Sequence, residues 1–409
     1  MIAQQFDIAI VGAGLAGTAL ATALGGSPLR IALIEAQPLS LQWPTLRDDV
    51  NGFDARVSAL TFASQRWLDQ LGVWELVAAR RVSPYRHMHV WDGEGTGSIH
   101  FDAAEVNRPA LGHIVENNLL QTALLHSLSR HHNVQIFSPV QVEHFTRGDD
   151  HIELQLQNQT QLRAKLLVGA DGANSRVRDW AEIKLREHDY GHTALVATVA
   201  TTQPHQSTAW QIFRREGPLA FLPLQGTGAL HDGPHPLSSI VWSTVPDEAQ
   251  ALMAMDDNDF MRALSNAFEH RLGDITATSR RFSFPLRARH AESYVQPNLA
   301  LIGDASHTIH PLAGQGINLG FLDAQALADE LLRAAQRGLQ PGDASVLARY
   351  QRSRKSDNLV MLGLMDGFKR LFGANDLTLR WLRNTGLNLT DRSGPLKRFL
   401  IRQAMGISF

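Results

Sequence analysis

The opening of the chain restricts its fold more than any other stretch. Phe6 to Val11 is an apolar run that reads as a buried strand, and Gly12-Ala13-Gly14-Leu15-Ala16-Gly17 follows at once. Thr18 to Leu24 continues with small and apolar residues that suit a helix. Between a strand and a helix, G-x-G-x-x-G has a physical meaning. Gly12 permits the tight turn, Gly14 lets the backbone approach a pyrophosphate, Gly17 lets helix and strand pack closely, and the helix N-terminus faces the phosphates. Ile31 to Ile34 reads as a second strand and ends in Glu35, 18 residues past Gly17. A carboxylate there accepts hydrogen bonds from a ribose 2′-hydroxyl and repels a 2′-phosphate, so the site suits FAD or NAD better than NADP.

A second pattern lies far along the chain. Leu299 to Ile302 is another apolar strand, closing in Gly303-Asp304-Ala305-Ser306-His307. His310-Pro311-Leu312-Ala313-Gly314-Gln315-Gly316-Ile317-Asn318-Leu319-Gly320 follows, then a helical pattern from Phe321 to Arg333. The Asp304 carboxylate suits a ribityl or ribose hydroxyl, and a helix N-terminus suits an anionic ring or phosphate. Two such points, so far apart in sequence, imply an extended cofactor spanning a discontinuous domain. Leu166 to Val168 reads as a third strand, ending in Gly169-Ala170-Asp171-Gly172 and leading to Arg176. Asp-Gly by itself is an ordinary turn.

Composition removes whole classes of chemistry. The 409 residues include no Cys, which excludes disulfide frameworks, Cys-ligated zinc, iron–sulfur clusters and thiol catalysis. The length implies two or three structural units that need no covalent staple. The first basic residue is Arg30 and no stretch approaches 18 uninterrupted apolar residues, so the expectation is a soluble, cytoplasmic protein. Charge is uneven. Residues 349–402 carry twelve Lys or Arg against four Asp, a net +8, which leaves −10 on the rest. Such a segment serves either as a solvated helix face or as a contact for an anionic membrane surface or acidic partner. No Ser/His/Asp set or carboxylate pair accompanies the motifs. His307 and His310 form H-x-x-H without further ligands, so no metal is expected. Packing in the loop is the expected role of His310, with action as a base on a phenol its weaker alternative.

Together these motifs resemble those of the FAD-dependent aromatic hydroxylases, single-component flavin monooxygenases related to para-hydroxybenzoate hydroxylase. The closer similarity is to the ubiquinone-biosynthesis hydroxylases UbiH, UbiF and UbiI and their eukaryotic relative. The stretch His310 to Gly320 resembles that family's most specific signature. Arg56-Val57-Ser58-Ala59-Leu60, Leu71-Gly72-Val73-Trp74 and Gly112-His113-Ile114-Val115-Glu116-Asn117 are similar too. UbiI is the nearest branch, on His270-Arg271-Leu272-Gly273 and the tail Leu400 to Gly406, although Tyr294 to Pro297 resembles UbiF.

The resemblance implies an activity and a set of roles. NAD(P)H would reduce FAD, O₂ would add at the flavin C4a to give a hydroperoxide, and the ring of a polyprenyl phenol would take up the distal oxygen. Gly12, Gly14, Gly17 and Glu35 would hold the ADP half of FAD. Arg56 would reach the pyrophosphate or flavin side, and Gly303 and Asp304 the ribityl chain. Pro311 and the backbone of Gly314, Gln315, Gly316, Ile317 and Asn318 would line the isoalloxazine. Asp171 and Arg176 would serve FAD and NAD(P)H. Many flavin hydroxylases begin an R-x-x-L helix near FAD, whereas here Asn117 precedes Leu120, as in the ubiquinone branch. The tail would dock at the inner membrane or in a ubiquinone-biosynthesis complex, and no nucleic-acid partner is implied. Another flavin-linked oxidoreductase with a different aromatic substrate, or a flavin-bearing non-catalytic subunit, stands as the alternative.

The expected fold is α/β with α+β character. A Rossmann-like FAD-binding domain takes residues 1–80, 100–180 and 285–340. A substrate domain with a mixed or antiparallel sheet takes 81–99 and 181–284, with strands at Tyr85–Trp91, Ala194–Val199, Ala209–Phe213, Ala220–Leu224 and Ile240–Trp242, and a helix over 247–270. Residues 341–409 form a basic helical segment. Trp210, Phe213 and Phe221 could either line a prenyl tunnel or fill the core.

Overall fold

A computed structural model describes residues 3–227, 236–308, 316–355, 358, 391 and 393–406. The first sheet is eight-stranded and draws on both ends of the chain. Its central strands run in the order Leu299–Leu301, Gln161–Gly169, Gln4–Val11, Ile31–Ile34, Val134–Phe137, each parallel to the next. Every residue of Ile31–Ile34 is buried, the mark of a parallel strand with no wet face, which is why the run is apolar without alternation. The hairpin Val142–Arg147 and Ile152–Leu156 extends the sheet from Gln161–Gly169. Helix Leu15–Ala23 packs between helices Asn117–Leu128 and Gly316–Gln336 and closes the main core.

The second sheet has nine strands. Leu185–Thr201, Leu237–Thr244, Gly217–Pro223 and Thr208–Arg214 are successively antiparallel, and His87–Asp92 joins Thr208–Arg214 in parallel. Strand Phe282–Ala291 lies on the far side of Leu185–Thr201 and pairs with the short His307–Thr308. One face packs against helices Pro246–Ala254 and Asp257–Ala267 through Leu195, Ile212, Phe221, Ile240 and Trp242. A three-stranded sheet of Val57–Thr61, Gly112–Glu116 and Ser83–Tyr85 lies against the opposite face, sharing a core with Leu222, Leu224 and Leu237. The architecture is thus the expected α/β class, with a Rossmann-like sheet, a mixed second sheet and helices toward the C-terminus.

The elements differ from expectation in three places. The helix over 247–270 is two helices, because Met255 turns extended and the Asp256 side chain caps the next helix by accepting from Asp259 N at 2.8 Å. The strand at Tyr85–Trp91 is divided: Tyr85 ends a strand of the small sheet, while His87–Asp92 belongs to the large one. Ala194–Val199 is the middle of a 17-residue strand, bulged between Asp189 and His192. Of the tail, residues 344–355 are helical, as is Gly394–Ala404, and residues 359–390 lie outside the described residues. Among the described residues no helix is long and apolar enough to cross a membrane.

His113, in the small sheet, makes the fold sensitive to acid. Its ring meets Trp74 edge-on at 4.9 Å, and its Nδ1 has no hydrogen-bond partner among the described residues. Burial pushes its pKa down to about 4. In the unfolded chain it titrates near 6.5, so as pH falls the unfolded state takes up this proton first. The His113 contribution to stability is therefore complete above pH about 6.5 and is lost as pH drops toward 4. Thermal denaturation should show a lower Tm at pH 5 than at pH 7.5, and His113→Gln should reduce that difference.

Candidate functional site

The first turn is built by steric necessity. Gly12 has φ +101°, and a Cβ there would lie 2.4 Å from Ala170 O. A Cβ on Gly17 would fall 2.0 Å from Gly12 O, so this glycine lets the helix seat on the strand. Gly14 is different: among the described residues nothing lies within 4 Å of its Cβ position, and the N-terminus of helix Leu15–Ala23 has no side-chain cap. That leaves backbone N–H groups facing open space, the geometry that receives a pyrophosphate. Glu35 reaches the same turn, accepting from Ala13 N and Gln37 N at 2.8 Å each. Gln121 completes it, donating Nε2 to Ala13 O at 2.7 Å and to Thr18 Oγ1 at 3.0 Å.

The second turn is brought against the first. Gly303 has φ +58°, and its Cβ position is 3.2 Å from Ala16 Cβ. Gly320, on the long helix after the loop, has its Cβ position 3.5 Å from both Ala16 Cβ and Gly303 Cα. Beside this contact Asp304 sits in a recess, still accessible to solvent but largely surrounded by protein. That enclosure pushes its pKa up, while His307 and Arg56 pull against the shift. Its carboxylate takes no hydrogen bond among the described residues, leaving an acceptor free for hydroxyl groups. Arg56 is exposed and close enough to act on Asp304 electrostatically.

Asn117 and Asn318 act on the frame. Asn117 N donates to Arg56 O at 3.0 Å, and its Oδ1 accepts from Ser58 Oγ at 2.7 Å. Asn318 is buried; its Oδ1 accepts from Thr61 N and Ser64 Oγ, and its Nδ2 donates to Ala59 O. Among the described residues nothing lies within 4 Å of the Gly316 Cβ position, and Ile317 packs on the main core. His310, Pro311, Gly314 and Gln315 lie outside the described residues. His307 gives Nε2 to Asp323 at 2.5 Å.

Asp171 is committed to its own turn. One oxygen accepts from Ser175 Oγ at 2.5 Å and the other from Val177 N at 3.1 Å, and burial raises its pKa. Arg176 lies over Trp180 at 4.5 Å and extends toward Gln141 and Glu143 on the hairpin edge. The structure therefore gathers the Gly12–Gly17 turn, Glu35, Arg56, Gly303, Asp304 and Asn318, and directs Arg176 to an edge of the first sheet.

Three arginines that carried no motif hold this arrangement. Buried Arg178 donates Nη1 to Ala173 O at 3.1 Å and to Ala305 O at 3.2 Å, tying the Asp171 turn to the Asp304 turn. Arg289 donates to Ala173 O and Asn174 Oδ1 from the second sheet. Arg81 is buried, pairs with Glu116 at 2.8 Å, and donates to Arg47 O and Gly52 O, fixing the loop before Arg56. Their only sequence signal is an arginine inside or beside an apolar run, which does not specify a partner.

The donor set fits FAD. Open space before an uncapped helix suits the pyrophosphate, Glu35 the ribose, and the unused Asp304 acceptor a polyol chain. Comparisons with known proteins agree. Residues 5–358 match the FAD binding domain family. The chain is 41% identical to the 3-demethoxyubiquinol 3-hydroxylase of Escherichia coli K12, covering 100% of both. It is 37% identical to the ubiquinone hydroxylase UbiL of Rhodospirillum rubrum, covering 98% of this chain and 89% of that one. The solved structure of PqsL from Pseudomonas aeruginosa superposes with TM-score 0.75 at 25% identity, over 95% of this chain and 100% of that one. The chain belongs to the FAD binding domain family and is an FAD-dependent monooxygenase.

Gly17 offers a direct test of the first turn. A valine there must displace Gly12 O, so Gly17→Val should lower stability by about 1–3 kcal/mol, as overpacking does. Denaturant titration of the FAD-free protein measures it.

Proposed function

We propose that the protein hydroxylates the aromatic ring of a polyprenyl phenol in ubiquinone biosynthesis, using NAD(P)H and O₂. The full-length 41% identity to a 3-demethoxyubiquinol 3-hydroxylase carries this reading. It also supports the ring position that this relative's name gives, over the UbiI-type position that the tail and Arg271 region suggest. Bound FAD supplies what the side chains lack, two-electron reduction and activation of O₂. The chain's own residues bind, orient and exclude water. The Gly12–Gly17 turn and helix N-terminus hold the pyrophosphate, Glu35 the ribose, Asp304 the ribityl chain, and Arg56 the anionic flank. By the family resemblance Pro311 and the backbone of Gly314 to Asn318 would line the flavin ring, and exposed Arg176 would meet NAD(P)H while Asp171 holds its turn.

The substrate side follows from the two faces of the second sheet. Phe282, Val196, Val241, Ala220 and Gln211 form one cross-strand row. Phe284 continues that face and is 42% exposed. This half-covered apolar face adjoins His307–Thr308, the strand directly after Asp304. It suits a phenol with an isoprenoid chain and keeps water from the reacting ring. Phe213 shares the face, whereas Trp210 and Phe221 lie on the opposite one. Phe221 stacks on Phe268 at 3.8 Å, so these two support helices. The cofactor unit comprises 1–80, 100–180 and 285–340, with Phe282–Ala291 contributed to the sheet of the substrate unit, and 341–409 is the C-terminal unit.

Helix Gly394–Ala404 supplies the contact with an anionic membrane. Ile401 and Met405 are buried, while Phe399 and Leu400 are exposed beside Arg398 and Arg402. Each well-placed arginine adds about 1 kcal/mol at an anionic surface. Flotation with anionic vesicles should fall when Phe399 and Leu400 are both changed to Ser.

The activity test is oxidation of NADPH under O₂ with a short-chain demethoxyubiquinol analogue, with H₂O₂ measured in parallel. Coupled consumption with hydroxylated product is expected. FAD binding with H₂O₂ alone would refute this substrate or point to a missing partner, and failure to bind FAD would overturn the reading. Asp304→Ala should weaken FAD binding about ten-fold or more, while the Tm of the FAD-free protein stays unchanged.

A further inference from the structure

Behind the Asp304 turn lies a buried polar network that the functional reading does not use. Asp323, on helix Gly316–Gln336, is 0% exposed. Its Oδ2 accepts from Gly303 N at 3.1 Å and from His307 Nε2 at 2.5 Å. Its Oδ1 accepts from Arg354 Nε at 2.9 Å and Asn358 Nδ2 at 3.3 Å. Arg354 also donates to Asn358 Oδ1, and Asn358 Nδ2 reaches Tyr294 Oη at 3.2 Å, which in turn meets His290 Nε2 at 3.0 Å. Burial pushes the Asp323 pKa up, but His307 and Arg354 outweigh it and hold the carboxyl below its usual range.

The network grips the residues around Asp304 and leaves Asp304 alone. Gly303 is held through its N–H, His307 through its ring, and Ala305 through its carbonyl by Arg178. A buried ion pair is a weak way to gain stability, since apolar side chains of similar volume serve as well. What an apolar residue cannot do is accept from a backbone N–H and an imidazole together, in fixed directions. We propose that Asp323 is a positioning residue for FAD, orienting the Gly303–His307 turn so that Asp304 is preset for the polyol chain, with Arg354 and Asn358 from the C-terminal segment completing the clamp. This rests on the assignment of Asp304 to the cofactor. It makes the C-terminal segment part of the cofactor site without touching the cofactor.

The test compares Asp323→Asn, Arg354→Met, Arg354→Lys and Asp304→Ala holoenzymes. FAD affinity is read by flavin fluorescence, the environment of the bound flavin by visible circular dichroism, and folding by the Tm of the FAD-free proteins. Asp323→Asn and Arg354→Met should each weaken FAD binding about ten-fold or more, the loss of one charge-assisted hydrogen bond. They should also alter the flavin dichroism while the FAD-free Tm stays within a few degrees. Arg354→Lys, which keeps the charge, should restore part of the affinity. Should Asp323→Asn fail to fold, Arg354→Met decides alone. A folded variant with wild-type FAD affinity and dichroism overturns the proposal. Wild-type affinity in Asp304→Ala would instead overturn the cofactor assignment beneath it.

Discussion

The close approach of Ala16, Gly303 and Gly320 is the contact on which the rest depends. Two glycines and an alanine allow the start of the first helix, the Asp304 turn and the long helix to meet at van der Waals distance. A Cβ on Gly303 would already press on Ala16 Cβ at 3.2 Å, so larger side chains here would push the turns apart. The parallel strands Gln4–Val11, Gln161–Gly169 and Leu299–Leu301 place three turns along one edge of a sheet, and the small residues bring two of them together. Position at the C-terminal ends of parallel strands is where such folds bind ligands.

Loops gathered at one edge still need fixing, and the chain fixes them with buried and half-buried cations. Arg178, Arg289, Arg81 and Arg354 each reach backbone carbonyls, carboxylates or amides across long sequence separations. A guanidinium presents five donors in a rigid plane, so one residue can satisfy several loop acceptors. Arg81 shows the geometry well: Glu116, Arg47 O and Gly52 O surround it, and Phe53 lies 3.7 Å beneath its plane. Backbone acceptors in a buried loop must be paired, and these arginines pair them without adding a strand or helix.

This division explains which features were legible in the sequence. The Gly12–Gly17 turn, Glu35 and the Gly303–Asp304 turn work through local geometry, and each carries its signal within a few residues. The α/β class followed from the unalternating runs such as Ile31–Ile34. Residues acting across the fold carry no local signal. The Asp-Gly motif shows where Asp171 lies but not that Ser175 and Val177 anchor its carboxylate within the turn. Asp323 carries no motif on its helix, yet it lies where four donors converge. Trp210 and Phe221 fit a core first and a tunnel second on sequence, because strand alternation does not say which face meets helices.

The C-terminal segment joins these two kinds of residue. Arg354 stands behind the Asp304 turn through Asp323. At the other end, Ala63 N donates to Met405 O at 3.3 Å, and Thr61, two residues earlier, gives its N–H to Asn318. Lys397 pairs with Glu105 at 2.9 Å and Asp391 at 3.1 Å, and Asp391 accepts from the His100 N–H on the edge strand Ser98–Asp102. The helix that exposes Phe399 and Leu400 is therefore anchored through Ile401 and Met405 in the core shared with Leu222 and Leu224. Burial on one side and exposure on the other make this helix continuous with the frame around Asn318.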